Sequence, residues 1–127
     1  TGMTANAVMS LSLDPPLVVV SVDKTATMHE ALVDGQCYAI NILARNQEHL
    51  SNQFATPGPK DFSGLDVSDG ASGAPILGGT LGYLDCKLVN RLPAGDHDMF
   101  VGEVLTGQLD EGEPLVYFGG GYRSLGQ

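Results

Sequence analysis

The chain has 127 residues, 43% of them hydrophobic, with 17 glycines, 7 prolines and a formal net charge of −9. That length supports one domain, 1–127, with a real core and no room for a second. Six Lys and Arg against fifteen Asp and Glu exclude a nucleic-acid surface, because a phosphate backbone requires clustered cations. The longest apolar run, Leu17 to Val20, is far too short for a membrane-spanning helix. No basic region followed by an apolar stretch opens the sequence, so the cytoplasm is the expected location. Cys37 and Cys86 are unlike a metal site or a CxxC pair and read as buried, reduced thiols rather than a disulfide.

In chain order, Val8 to Leu13 alternates apolar and polar, the period of a half-buried strand. Its inward set is expected to be Val8 or Met9 with Leu11 and Leu13, leaving the serines, Ser12 among them, to face a site or water. Asp14-Pro15-Pro16 sets a turn, since adjacent prolines fix φ and bar the aspartate from helical geometry. A β-branched run, Val18 to Val20, follows as a buried strand. Asp23-Lys24-Thr25-Ala26-Thr27 then opens a helix, where free N–H groups and the dipole favour an anion. A strand that delivers such a terminus points to a phosphate-bearing ligand. The bland reading stands beside it: Thr27 and Glu30 fit a capping box, and Lys24 serves equally as a solubilising charge.

Gly35 is expected to end this helix. Cys37 to Leu43 reads as a strand, and Arg45 to Phe54 as a second helix with Leu50 and Phe54 on one face. His29 and His49 fall in these helices without a third ligand at useful spacing, so no metal site is expected. Residues 56–75 carry three prolines and four glycines and read as loop. Beyond Thr80 come strands over Leu81 to Leu92, Met99 to Leu109 and Leu115 to Phe118, with turns at Pro93 to Asp96 and Glu111 to Pro114. Meandering strands with two short helices describe a small antiparallel barrel, mainly β, with helices at its openings. A barrel needs a closing strand and none precedes Thr1, so the chain is expected to lack an N-terminal strand. No Gly-x-Ser-x-Gly elbow, reactive-cysteine context or P-loop is present.

Gly2-Met3-Thr4-Ala5-Asn6-Ala7, Ser12-Leu13-Asp14-Pro15-Pro16, Gly95-Asp96-His97 and Tyr122-Arg123, in that order, resemble the flavin reductase-like, FMN-binding split-barrel family. The nearest branch is that of the short-chain NAD(P)H:flavin reductases of two-component flavin monooxygenases. The resemblance covers almost the whole chain, although family members usually begin with a further segment that includes a strand rich in Val and Thr. It implies a split β-barrel that takes FMN or FAD, with NADH or NADPH as hydride donor. It also implies a homodimer and a partner monooxygenase that receives reduced flavin.

By the same resemblance, Thr4, Ala5, Asn6 and Ala7 match the segment lining the isoalloxazine and ribityl chain, and Ser12 joins this cofactor-binding set. Asp23, Lys24, Thr25 and Thr27 match the phosphate-binding stretch, and Lys60 and Phe62 a loop pair near the flavin tail. Tyr122 and Arg123 match a C-terminal pair that approaches the flavin. His97 matches the site-facing histidine near the nicotinamide. On the residues alone, a histidine between two aspartates at a turn is merely solvated. Arg91 and Arg123, the candidates for reading a 2′-phosphate, are far apart in sequence, which favours NADH. Two other classes remain open: a flavoredoxin-like electron carrier that binds flavin without reductase turnover, and a non-enzymatic ligand-binding barrel.

Overall fold

The computed structural model describes residues 1–5, 7–56, 60, 62–118 and 121–123, with the backbone alone for 116–118 and 123. Strands β1 (Val8–Leu13) and β2 (Pro16–Asp23) lead into helix α1 (Thr27–Gly35) and strand β3 (Cys37–Ile42). A 3-10 turn (Arg45–Gln47) runs into helix α2 (Glu48–Ala55). Short strands β4 (Val67–Asp69) and β5 (Pro75–Leu77) precede the long pair β6 (Gly82–Ala94) and β7 (His97–Leu109). Strands β8 (Val116–Phe118) and β9 (Gly121–Arg123) close the order.

The main sheet is five-stranded and antiparallel, in the order β1-β2-β7-β6-β3, while β4–β5 and β8–β9 are separate two-stranded ribbons. Among the described residues this ladder has free ends at β1 and β3, as expected of a barrel that lacks its closing strand. Strand β2 is an interior strand, and its valines suit a surface covered on both faces: Val18, Val19, Val20 and Val22 are all buried. Strands β6 and β7 join through a two-residue turn in which Gly95 takes φ +68°, the positive value that tight hairpin turns require.

The core gathers Val18, Val20 and Val22 of β2, Leu32 of α1, Tyr38 of β3, Cys86 of β6 and Phe100 of β7. Gly102 on β7 packs closely against it: an added Cβ would stand 2.5 Å from the Tyr38 hydroxyl oxygen. That hydroxyl is buried and reaches the Phe100 carbonyl at 3.2 Å, so the ring has little freedom to retreat. Gly102→Ala is therefore expected to cost about 1–3 kcal/mol of stability. A urea titration with an unchanged midpoint would show instead that the ring moves aside without cost.

Several sequence expectations are corrected. Strand β1 buries no apolar row: Val8, Met9, Leu11 and Leu13 are all exposed, Leu13 at 94%, because β1 is an edge strand. The Thr27–Glu30 capping box does not form; the N-cap is Ala26, with no side-chain cap, and Thr27 is already helical. Helix α1 does end at Gly35, and the left-handed residue that follows it is Gln36, at φ +59°. The stretch 56–75 is not all loop, since β4 and the start of β5 lie in it. No helix among the described residues is long and apolar enough to cross a membrane.

Candidate functional site

Residues singled out in the sequence gather in two clusters. The first lies where β2 ends and β7 begins. Asp23, the last residue of β2, pairs with His97, the first of β7. The Asp23 Oδ1 accepts from the Thr25 N–H at 2.8 Å and from the Thr25 hydroxyl at 2.7 Å. These two bonds, with smaller contributions from His97 and His29, hold the Asp23 carboxyl below the usual carboxylate range.

The Lys24 N–H donates to the Asp96 carbonyl at 2.9 Å, tying the helix entrance to the hairpin turn. His97 Nδ1 lies 2.8 Å from Asp96 Oδ1. One polar atom each of Asp23, Asp96 and His97 falls within 4.8 Å of the others. An ionised carboxylate only accepts, so Nδ1 carries the proton towards Asp96 and the neutral ring keeps Nε2 as an acceptor.

The second cluster surrounds α2. The Thr4 N–H donates to the Phe54 carbonyl at 3.0 Å, and the Thr4 hydroxyl to the Ser51 carbonyl at 2.5 Å. Ser51 Oγ meets the Tyr122 hydroxyl at 2.7 Å, which donates in turn to Asn52 Oδ1 at 3.1 Å. Phe62 packs on Phe54 with ring centroids 5.6 Å apart, and the Lys60 N–H donates to the Thr1 hydroxyl oxygen. An added Cβ on Gly2 would stand 3.0 Å from the Phe54 ring, so this residue must be small for the N-terminal segment to lie on α2.

One segment joins the clusters. Thr4 is fixed to α2, and three residues later the Ala7 carbonyl accepts from the Ser21 N–H at 3.0 Å, two residues short of Asp23. Thr4, Ala5 and Ala7 are exposed, and these small side chains lie between the two anchors. Asn6 lies outside the described residues, as does the side chain of Arg123, whose backbone pairs with Val116. Ser12 stands apart. It pairs with Leu17 at the far end of β1, about 17 Å along the strand from Ala7 at 3.3 Å per residue.

Sequence reasoning missed Ser51 and Asn52, which anchor Thr4 and Tyr122, and it missed the pair His29–Asp98. His29 Nε2 lies 2.6 Å from Asp98 Oδ2, and both side chains are largely buried. No local pattern marks this contact, because its partners are 69 residues apart.

The His29 hydrogen bond, followed by the charges of Lys24, His29 and Arg91, holds the Asp98 carboxyl below its ordinary value. Since the folded value lies below the unfolded one, ionised Asp98 adds stability above about pH 4 and loses it as pH falls through the folded value. Asp98→Asn is expected to make the decline in stability below about pH 4 less steep. Urea titrations across that range check this, and an equally steep decline would contradict it.

The model of the flavin reductase-like domain matches residues 1–126. The chain belongs to the flavin reductase-like family. Among its relatives, an NADH-dependent flavin reductase of a Rhodococcus species is 44% identical over 124 residues, covering 98% of this chain and 69% of that protein. The reductase component of 4-hydroxyphenylacetate 3-monooxygenase from Thermus thermophilus is 41% identical over 125 residues, covering 98% and 78%. The solved structure of a Streptomyces globisporus NADH:FAD oxidoreductase superposes with a TM-score of 0.90 at 37% identity, covering 97% of this chain and 76% of that one. The flavin reductase-like family is a split-barrel family, and the open antiparallel sheet with two helices fits that architecture.

Proposed function

We propose that this chain is an NADH-dependent flavin reductase that takes FMN or FAD and supplies reduced flavin to a partner monooxygenase. The observation that carries the reading is the tethered strip from Thr4 to Ala7, which runs from the α2 cluster to the rim that holds His97. A flat tricyclic ring needs close backbone approach and small polar partners, and an exposed strip of Thr4, Ala5 and Ala7 fits that need. Phe62 and Tyr122, packed or bonded on α2, extend the same surface.

A bound flavin supplies the redox chemistry, accepting hydride from the reduced nicotinamide and releasing electrons to an acceptor. The chain's own residues bind and align. Lys24 and the first-turn N–H groups of α1 are suited to a phosphate, with Thr27 beside them. Thr25 contributes indirectly, since Asp23 already engages its N–H and hydroxyl. His97, with Nδ1 turned to Asp96, offers Nε2 to the nicotinamide carboxamide. The Arg91 charge, like those of Lys24 and His29, acts on the Asp98 carboxylate, and relatives named NADH-dependent flavin and FAD reductases favour NADH over its 2′-phosphorylated form.

A homodimer belongs to the same proposal. It is supported by the apolar row Val8, Met9, Leu11 and Leu13 on an exposed edge strand. Free thiols at Cys37 and Cys86, with burial and the Asp85 charge raising the Cys86 thiol to about 12, suit a reducing cytoplasm. Steady-state NADH oxidation with added FMN or FAD tests the activity. Turnover that saturates in both substrates is the expected result, while firm flavin binding without turnover would make the protein an electron carrier.

A further inference from the structure

We infer that His29 is a positioning residue for His97, acting through Asp98. The inference rests on the proposed role of His97 at the nicotinamide.

His29 sits on the first turn of α1, and its Nε2 lies 2.6 Å from Asp98 Oδ2. Its ring meets the wholly buried Phe100 edge-on, at 5.3 Å between centroids and an interplanar angle of 76°. That packing fixes the imidazole, and the imidazole fixes the carboxylate. Asp98 follows His97 directly on β7, so the two side chains project to opposite faces of the strand.

The His97 backbone pairs with Asp23 on one side and Ala94 on the other, but its side chain has a weak anchor. Its partner Asp96 stands on the hairpin turn with a side chain 90% exposed, where an ion pair contributes little. The buried grip on Asp98 holds the strand start from the other face. The Lys24 N–H on the Asp96 carbonyl holds the turn. Asp23 from β2, Lys24 from the helix entrance and Arg91 from β6 are the other charged groups around this pair. Without His29 the Asp98 carboxylate is left buried with only the longer-range Lys24 and Arg91 charges. It then turns towards water and, through the shared strand start, changes the angle at which the His97 side chain is presented.

A double-mutant cycle in the full chain with saturating flavin tests this. His29→Leu is expected to raise the NADH KM about tenfold with kcat and flavin Kd within about twofold, and His29→Gln, which keeps a donor, to recover most of the loss. In a His97→Ala background, His29→Leu is expected to add less than about twofold, because its effect passes through His97. Equal increments in the two backgrounds, or an unchanged KM in folded His29→Leu, would overturn the inference. Should His29→Leu fail to fold, Asp98→Asn takes its place in the cycle with the same expectations. If His97→Ala alone leaves KM unchanged, the role of His97 fails first, and a positioning role for His29 fails with it. A raised KM in His97→Ala with additive increments refutes His29 alone.

Discussion

Replacing His97 by alanine is expected to raise the KM for NADH about tenfold while leaving the Kd for FMN or FAD within about twofold, because one polar contact to a bound group is worth about 1.4 kcal/mol. The selectivity of the effect follows from position. His97 opens β7 beside Asp23, and its recorded partner is Asp96. The strip that is suited to a flavin ring is anchored elsewhere, at Ser51, Phe54 and Ser21. Steady-state kinetics with NADH varied at saturating flavin, together with flavin titrations, separates the two affinities. A parallel loss of flavin affinity would place His97 against the flavin instead of the nicotinamide.

Asp85→Ala is expected to destabilise the fold by about 2–4 kcal/mol, the largest loss foreseen for any single replacement here. Asp85 is wholly buried on β6 and accepts from the Ser72 N–H at 3.1 Å and from the Ser72 hydroxyl. Gly70 closes on the same carboxyl, where an added Cβ would stand 2.7 Å from its Cγ. The segment 70–74 therefore wraps a carboxylate, and Ala74 is its one buried apolar side chain. Truncation leaves Ser72 donors without an acceptor and a void above β6. A lower urea midpoint with accelerated amide exchange over 67–77 is the expected signature. A loss below about 1 kcal/mol would mean that water replaces the carboxylate at little cost.

Local chemistry explains why some elements were legible in the sequence. The Pro15-Pro16 turn with its valine run is a local signal and predicts β2 and its burial. The apolar spacing of α2 is equally local, and its helix begins within a few residues of the expected start. Strands β4 and β5 were not legible, since each has only three residues in a Gly- and Pro-rich stretch. They are held from outside: Asn41 accepts from the Leu77 N–H and donates to the Pro75 carbonyl, while Asp85 holds Ser72. Such tertiary hydrogen bonds leave no periodicity to read.

Strand β1 shows a different limit. Its apolar pattern is genuine, but a pattern does not say whether a face is covered. At the site, Thr4, Ala7, Phe62, Tyr122, Asp23 and His97, named by the resemblance, lie in two connected clusters, whereas Ser12 lies towards the other end of its strand. The pairing of Thr25 with Asp23 was not foreseen, because an Asx-type turn and a phosphate site share the same residue types. His29 has no metal-ligand spacing in the sequence, and its hydrogen-bond partner is a carboxylate on a distant strand, which spacing does not mark.

The proposed function has one rim of this domain let a reduced nicotinamide deliver hydride to a flavin beside Thr4, Ala5 and Ala7. Its most direct test is anaerobic rapid mixing of NADH with protein equilibrated with FMN or FAD, following the visible flavin absorbance. Bleaching at a rate that saturates with NADH and slows in His97→Ala at subsaturating NADH is the result predicted. Flavin that binds firmly yet keeps its colour, or bleaches no faster than free flavin, would contradict the account.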